Sequence, residues 1–329
     1  MKKIKWGILS TAKIGLKAVI PGIQKSQYCE VLGIASRDKE KAEKVCHVLN
    51  IPKVYGSYEE ILQDPDIDVI YNPLPNHLHV PYTIKAMEAG KHVLCEKPLA
   101  MNATEATKLL LMSREYPHLK VMEAFMYRFH PQWKHAKDVI SRGLIGEVKV
   151  IHSIFSYFNR DAQNIRNRAD YGGGGLMDIG CYCISQSRYV FENEPVRVTG
   201  SCEIDPDFKV DCITNAILDF GGRTGIITCG TQMVNTQGVQ IYGTKGKIEI
   251  KRPFSISENE PGILIITTDD GESHVNAPEA NNYTLQCDRL AESIIGDKPV
   301  PTPLDDAVNN MKVIDAIFKS CESGEWVEL

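Results

Sequence analysis

Between residues 5 and 123, short apolar runs alternate with longer amphipathic ones, and this alternation constrains the fold more than any single motif. The apolar runs fall at 5–10, 30–36, 53–55, 69–72, 92–95 and 120–123. Strands buried on both faces read as near-continuous apolar stretches, and strand–helix–strand units connect parallel neighbours with one handedness. The pattern predicts an α/β domain over residues 1–124 built on a doubly wound parallel sheet. Helix starts are marked as well. Asp38, Ser57 and Asn76 stand where an N-cap belongs, Asn102 or Thr104 begins a further helix, and Gly90 closes one helix.

From residue 146 the period changes. Alternating stretches near 147–157, 196–203, 214–220, 224–232, 239–242, 247–250 and 262–268 predict an open, mostly antiparallel sheet. Turn signals at Gly221-Gly222 and Thr244-Lys245-Gly246 support hairpin pairing. Helices are expected at 131–141, 283–295 and 304–323, which completes an α+β second domain over residues 125–329. A chain of 329 residues is long for one core, which agrees with two.

Composition excludes several classes. The net charge is −5, and no Lys/Arg cluster carries interleaved aromatics, so a nucleic-acid binder is not expected. The basic start, Met1-Lys2-Lys3, turns to Gly and Ser too soon for a secretory signal, and no apolar run is long enough to span a bilayer. Ten cysteines are scattered through apolar patterns without a CxxC pair. They are expected to be reduced, buried thiols of a cytoplasmic protein. His77 and His79 have no Cys or acidic neighbour, so no metal site is expected there or elsewhere.

The stretches that carry chemistry lie at the ends of expected strands, where open parallel sheets bind ligands. After the first strand come Ser10, Thr11, Ala12, Lys13, Ile14 and Gly15, small residues in a turn suited to a pyrophosphate at a helix start. The second strand ends in Ser36 and Arg37, a hydroxyl and a guanidinium fork suited to a phosphate, so NADP is favoured with NAD as the alternative. Asp38 either caps the next helix or returns a carboxylate to the ribose. The fifth strand delivers Glu96 and Lys97 ahead of Pro98. Further on, Gly172, Gly173, Gly174 and Gly175 would let the backbone approach a ligand closely and start a helix carrying Asp178 and Tyr182 on one face, four residues apart. On the residues alone, Glu96 and Lys97 also read as solvated loop charges, and the glycines as a linker before a core helix.

Taken together, several stretches in order resemble the glucose–fructose oxidoreductase / inositol dehydrogenase (Gfo/Idh/MocA) family. They are Trp6-Gly7-Ile8-Leu9-Ser10-Thr11-Ala12-Lys13-Ile14, Pro75-Asn76-His77-Leu78-His79, Cys95-Glu96-Lys97-Pro98, Glu123-Ala124-Phe125-Met126-Tyr127-Arg128-Phe129-His130-Pro131, Asn164-Ile165-Arg166, and the glycine run through Leu176-Met177-Asp178-Ile179-Gly180-Cys181-Tyr182. Within it the chain is similar to the branch of dimeric dihydrodiol dehydrogenase and NADP-dependent D-xylose dehydrogenase. Ser10 and Ala12 replace glycines of the family pattern. The resemblance implies a Rossmann domain followed by a substrate-binding domain whose open sheet pairs with another subunit. It also implies a homodimer or higher homo-oligomer acting on a sugar, polyol or diol. It brings Lys97, Asp178 and Tyr182 together at the nicotinamide. With Tyr182 as acid/base, Lys97 stabilises its phenolate and Asp178 orients Lys97 or the substrate. Expected cofactor contacts are Ser10, Thr11, Ala12, Lys13, Ile14, Ser36, Arg37, Leu74, Pro75, Asn76, His79, Glu96, Lys97 and Arg166. Expected pocket residues are Met126, Arg128, Phe155, Phe158 and Asn164. Two rival readings are an NAD-assisted redox glycosidase and a non-catalytic NADP- or sugar-binding regulator.

Overall fold

The computed structural model describes residues 3–329; Met1 and Lys2, the start of the basic N-terminus, lie outside the described residues. Two compact units divide the chain, one formed by residues 1–126 and 281–308, the other by 127–280 and 309–329.

In the first unit, strands β1 (Ile4–Leu9), β2 (Cys29–Ala35), β3 (Lys53–Tyr55), β4 (Val69–Asn72), β5 (His92–Cys95) and β6 (Val121–Glu123) form one sheet in the order β3-β2-β1-β4-β5-β6. Every pair is parallel. The order reverses between β1 and β4, the switch point at which loops diverge and leave a crevice. Connecting helices are α1 (Ile20–Lys25), entered through a wide turn over Gly15–Val19, then α2 (Lys39–Leu49), α3 (Tyr58–Leu62), α4 (His79–Glu88) and α5 (Ala103–Ser113). Three start where a capping side chain was legible: Asp38 accepts from Lys41 N, Ser57 from Glu60 N and Asn102 from Glu105 N. Trp6, Ile8, Leu9, Tyr71 and Leu94 are fully buried in the sheet core.

In the second unit, α6 (Pro131–Ser141) and α7 (Cys181–Phe191) accompany a nine-stranded sheet. Its strands are β7 (Val148–Phe158), β8 (Arg197–Ile204), β9 (Asp211–Asp219), β10 (Thr224–Gly230), β11 (Gln232–Gly243), β12 (Gly246–Ile250), β13 (Gly262–Thr268), β14 (Gly271–Ala277) and β15 (Val327–Glu328). All pairs are antiparallel except β7 with β10. Side chains alternate along β10: Gly225, Ile227 and Cys229 are buried, while Ile226 and Thr228 are half-exposed on the other face.

Three expectations need correction. The cut at 124/125 treats everything downstream as one domain, but residues 281–308 return to the first unit. There α8 (Asn282–Ile295) lies against α1, with Thr284 Oγ1 donating to Gly22 O at 2.9 Å and Ser26 Oγ donating to Asp288. The contact needs Gly22, whose Cβ would stand 2.9 Å from Tyr283 Cβ. The strand expected at 239–242 begins seven residues earlier, because β11 crosses an irregular register beside β7. The ten cysteines are not all reduced thiols: Cys202 in β8 and Cys321 in α9 (Leu304–Ser323) form a disulfide with Cα atoms 5.5 Å apart, and the other eight are buried. The partners are 119 residues apart, so only the folded chain brings them together. Among the described residues, no helix is long and apolar enough to cross a membrane, and no group of three or more His, Cys, Asp or Glu side chains could hold a metal ion.

Candidate active site

Expected site residues fall on both units. In the first, β1 ends at Leu9 and the chain turns at Ser10, whose φ is +66°. A left-handed backbone suits glycine, and Ser10 occupies it with its hydroxyl accepting from Ala12 N at 3.2 Å. Thr11, Ala12 and Ile14 are half-buried and Lys13 is exposed. A Cβ on Gly15 would sit 3.6 Å from the Tyr71 ring, an ordinary contact, so the turn into α1 runs beside β4 without demanding glycine there. At the end of β2, Ser36 Oγ accepts from Asp38 N at 3.1 Å, and Asp38 Oδ1 accepts from Lys41 N at 3.0 Å. The carboxylate is thus engaged in capping α2, while Arg37 is exposed beside the Tyr58 hydroxyl.

The loop after β4 and the turn after β5 meet at one imidazole, which as a neutral ring donates to one of them at a time. The His79 ring nitrogens lie 2.7 Å from Leu74 O and 2.7 Å from Pro98 O. Burial pushes its pKa down to about 4 against the pull of those carbonyls. His79, an expected cofactor contact, is 1% exposed and lies between the loops that carry Leu74, Pro75, Asn76 and Lys97. The Lys97–Pro98 peptide is cis. Glu96 Oε1 accepts from the Tyr71 hydroxyl at 2.7 Å, under the first loop. Burial and the Glu96 charge both raise the Tyr71 pKa well above the usual phenol, so Tyr71 remains a donor. Tyr283 is raised in the same way, by burial first and then by Glu96. Met126, expected in the pocket, is 6% exposed at the end of this unit's first segment.

In the second unit the glycine run has a different cause from the one expected. A Cβ on Gly173 would stand 2.4 Å from Arg166 O, and one on Gly174 would stand 2.1 Å from Asp211 Oδ1. The glycines admit the protein's own chain. Gly174 N donates to Arg166 O at 2.8 Å, and Leu176 N donates to Asp211 Oδ2 at 2.7 Å, so the helix start is capped from β9. Asn164 Oδ1 accepts from Arg166 N at 3.1 Å and shapes the same segment. This packing fixes Arg166 beside the helix. Its Nε donates to Asp178 Oδ2 at 2.8 Å, and the Tyr157 hydroxyl donates to the same oxygen at 2.7 Å.

Tyr182 is 6% exposed and lies among rings, with centroids 5.9 Å from Tyr127, 5.7 Å from Phe155 and 5.6 Å from Phe254. Phe158, two residues along from Ser156 on the opposite face to Tyr157, is 68% exposed. Arg128 is taken up inside the unit: Nη2 donates to Ser185 Oγ at 2.7 Å, and the guanidinium lies 5.3 Å from the Tyr189 ring centroid. Tyr71, Tyr157, Asp211 and Phe254 were missed from sequence. Tyr157 alone left a signal, by alternating with Phe155 on β7 toward one face.

Comparison with known proteins decides the family. Residues 4–125 match the oxidoreductase family with an NAD-binding Rossmann fold, and residues 133–249 match the Gfo/Idh/MocA C-terminal domain. The chain belongs to the Gfo/Idh/MocA oxidoreductase family. It is an NAD(P)-binding oxidoreductase. An uncharacterized oxidoreductase of Rhizobium meliloti is 40% identical over 99% of both chains. D-xylose 1-dehydrogenase (NADP(+)) 2 of Haloferax volcanii is 36% identical over 98% of this chain and 99% of its own. Among solved structures, the 3-ketoreductase KijD10 of Actinomadura kijaniata, in complex with NADP and TDP-benzene, superposes with a TM-score of 0.91 at 28% identity, covering 97% of this chain and 98% of that one. Aldose–aldose oxidoreductase of Caulobacter crescentus, complexed with glycerol, gives 0.93 at 26% identity over the whole of both chains.

Proposed function

We propose that this Gfo/Idh/MocA oxidoreductase uses NADP to interconvert a secondary alcohol and a carbonyl on a sugar, polyol or diol, with Tyr182 as the acid/base. The carrying observation is that Arg166 and Tyr157 clamp Asp178 on the helical stretch that also carries the ring-enclosed Tyr182. The residues of the first unit suit the cofactor. Ser10 supplies the left-handed turn of a dinucleotide loop, and Ser36 with exposed Arg37 supplies a hydroxyl and a fork for a ribose phosphate, while Asp38 is engaged as a cap. The named activities of the Haloferax and Actinomadura relatives point the same way.

When bound, nicotinamide supplies the hydride acceptor or donor at its C4. The protein moves the proton. In the oxidative direction Tyr182 takes it from the substrate hydroxyl, and in the reductive direction Tyr182 returns it to the carbonyl oxygen. A phenol of ordinary pKa near ~10 is a poor base at neutral pH, so Lys97 stabilises its phenolate and hydrogen-bonds the same substrate oxygen. Asp178 orients the substrate. Ser10, Thr11, Ala12, Lys13 and Ile14 hold the pyrophosphate, Leu74, Pro75, Asn76 and Glu96 border the nicotinamide half, and Phe155 and Asn164 border the substrate. A second copy of the chain covers the open face of the large sheet around Ile154, Ile226 and Ile263, which sedimentation measures directly.

The test is an absorbance screen over sugars, inositols, diols and their keto forms, with both NADPH/NADP and NADH/NAD, run alongside aryl-glycoside release. With the substrate it identifies, Tyr182→Phe and Lys97→Ala each lower turnover by at least ~100-fold while NADPH still binds. Wild-type turnover in both variants removes the reading, and glycoside release without net cofactor turnover replaces it with redox glycoside cleavage.

A further inference from the structure

A carboxylate one turn from a catalytic phenol works against it. Asp178 and Tyr182 lie four residues apart on one continuous helical stretch, so an isolated Asp178 charge would oppose ionisation of the Tyr182 hydroxyl. The second unit answers this charge in a specific way. Arg166 Nε and the Tyr157 hydroxyl converge on the same oxygen, Asp178 Oδ2, at 2.8 and 2.7 Å. The Arg166 backbone is held in turn by Gly173 and Gly174, and its amide by Asn164. The guanidinium is therefore fixed by its main chain and by its side chain. Tyr182 is among the groups whose charge acts on it.

We propose that Arg166 is a positioning residue for the acid/base: clamped on Asp178 with the help of Tyr157, it cancels the carboxylate charge that Tyr182 would otherwise face. The inference deepens the reading of Tyr182 as the acid/base and rests on it. Arg166 acts here from within the substrate unit, independently of whether it also reaches the cofactor. The titratable and charged groups near Tyr182 in this unit include Asp178 on its own helical stretch, Arg166 on the preceding loop, Tyr157 on β7 with Asp211 acting on it, and Tyr127 on the short turn Met126–Phe129, whose hydroxyl accepts from Arg128 Nε. Phe155 and Phe254 add uncharged rings beside it.

The arrangement predicts effects of opposite sign, which a purely structural role for Arg166 does not. Tyrosine labelled with carbon-13 at Cζ reports ionisation by NMR in the full chain saturated with NADP, and the Tyr182 resonance is identified by its loss in Tyr182→Phe. Arg166→Gln raises the pH at which Tyr182 ionises by about one unit or more. Asp178→Asn lowers it, and the Arg166→Gln/Asp178→Asn double variant lies near the wild-type protein. Arg166→Lys, which keeps the charge but loses the Nε contact, falls between wild type and Arg166→Gln. Tyr157→Phe, which keeps both charges and loosens the clamp, gives a smaller upward shift and serves where Arg166→Gln fails to fold. An unmoved Tyr182 titration in Arg166→Gln, or shifts of the same sign in Arg166→Gln and Asp178→Asn, overturns the inference. Full turnover in Tyr182→Phe overturns the acid/base reading instead, and the titration distinguishes the two failures because it requires no substrate.

Discussion

Gly174 offers the sharpest test of how the second unit is built. Its φ is +110°, and a Cβ there would stand 2.1 Å from Asp211 Oδ1. Gly174→Ala therefore combines two costs. The backbone conformation alone costs about 1–2 kcal/mol for an L side chain. Overlap with a buried group adds about 1–3 kcal/mol, since Asp211 is 2% exposed and cannot swing away without releasing Leu176 N and Thr214 Oγ1. The sum is about 2–5 kcal/mol, read as a fall in urea midpoint by circular dichroism. Gly221 is the matched control, with φ +70° and no atom within 4 Å of an added Cβ, so Gly221→Ala carries the backbone cost alone. In an Asp211→Ala background the overlap disappears, and Gly174→Ala falls to the Gly221→Ala value. Equal destabilisation by Gly174→Ala and Gly221→Ala in the wild-type background would refute the close approach of Asp211.

Three further outcomes are expected. Arg37→Ala lowers the NADP-over-NAD ratio of kcat/KM by about 10- to 100-fold, the range for losing a charge-assisted bond to phosphate, and an unchanged ratio removes Arg37 from cofactor choice. Burial lowers the pKa of both His79 and His130 to about 4, so their contribution to stability is full above the unfolded value near ~6.5 and is lost as pH falls toward 4. The urea midpoint should drop across that window, and His130→Asn, which keeps an N-cap on α6, should flatten the drop. Reducing the Cys202–Cys321 bond, which closes a separation of 119 residues, destabilises the second unit by up to about 4–5 kcal/mol, and Cys202→Ser abolishes the difference between reduced and oxidised samples.

Local chemistry made much of the fold legible. The period of apolar residues located the six parallel strands, and Asp38, Ser57 and Asn102 announced their helices because a cap is satisfied within three residues. Non-local packing hid the rest. Nothing near Gly173 or Gly174 shows that the atoms filling their missing side chains are Arg166 O and Asp211 Oδ1, so the run read as room for a ligand. Asp178 and Tyr182 were legible as a helical pair, whereas Tyr157 required knowledge of which face of β7 turns toward them. Cys202 and Cys321 carry no spacing signal at all, since β8 and α9 bring them together only in the folded unit. The short strands β14 and β15 escaped for a related reason: Gly271–Ala277 is largely polar and exposed, and Val327–Glu328 is too brief to show a period.

The return of residues 281–308 to the first unit has a consequence for biosynthesis. Gly22, Ser26 and the buried face of α1 meet their partners Tyr283, Thr284 and Asp288 only after more than half of the chain beyond β6 has been made. A nascent chain that has emerged through β6 carries a complete parallel sheet with one helix uncovered. The dinucleotide-binding unit is therefore completed late: the face of α1 stays uncovered until residues 281–308, translated after strands β7 to β14, have emerged.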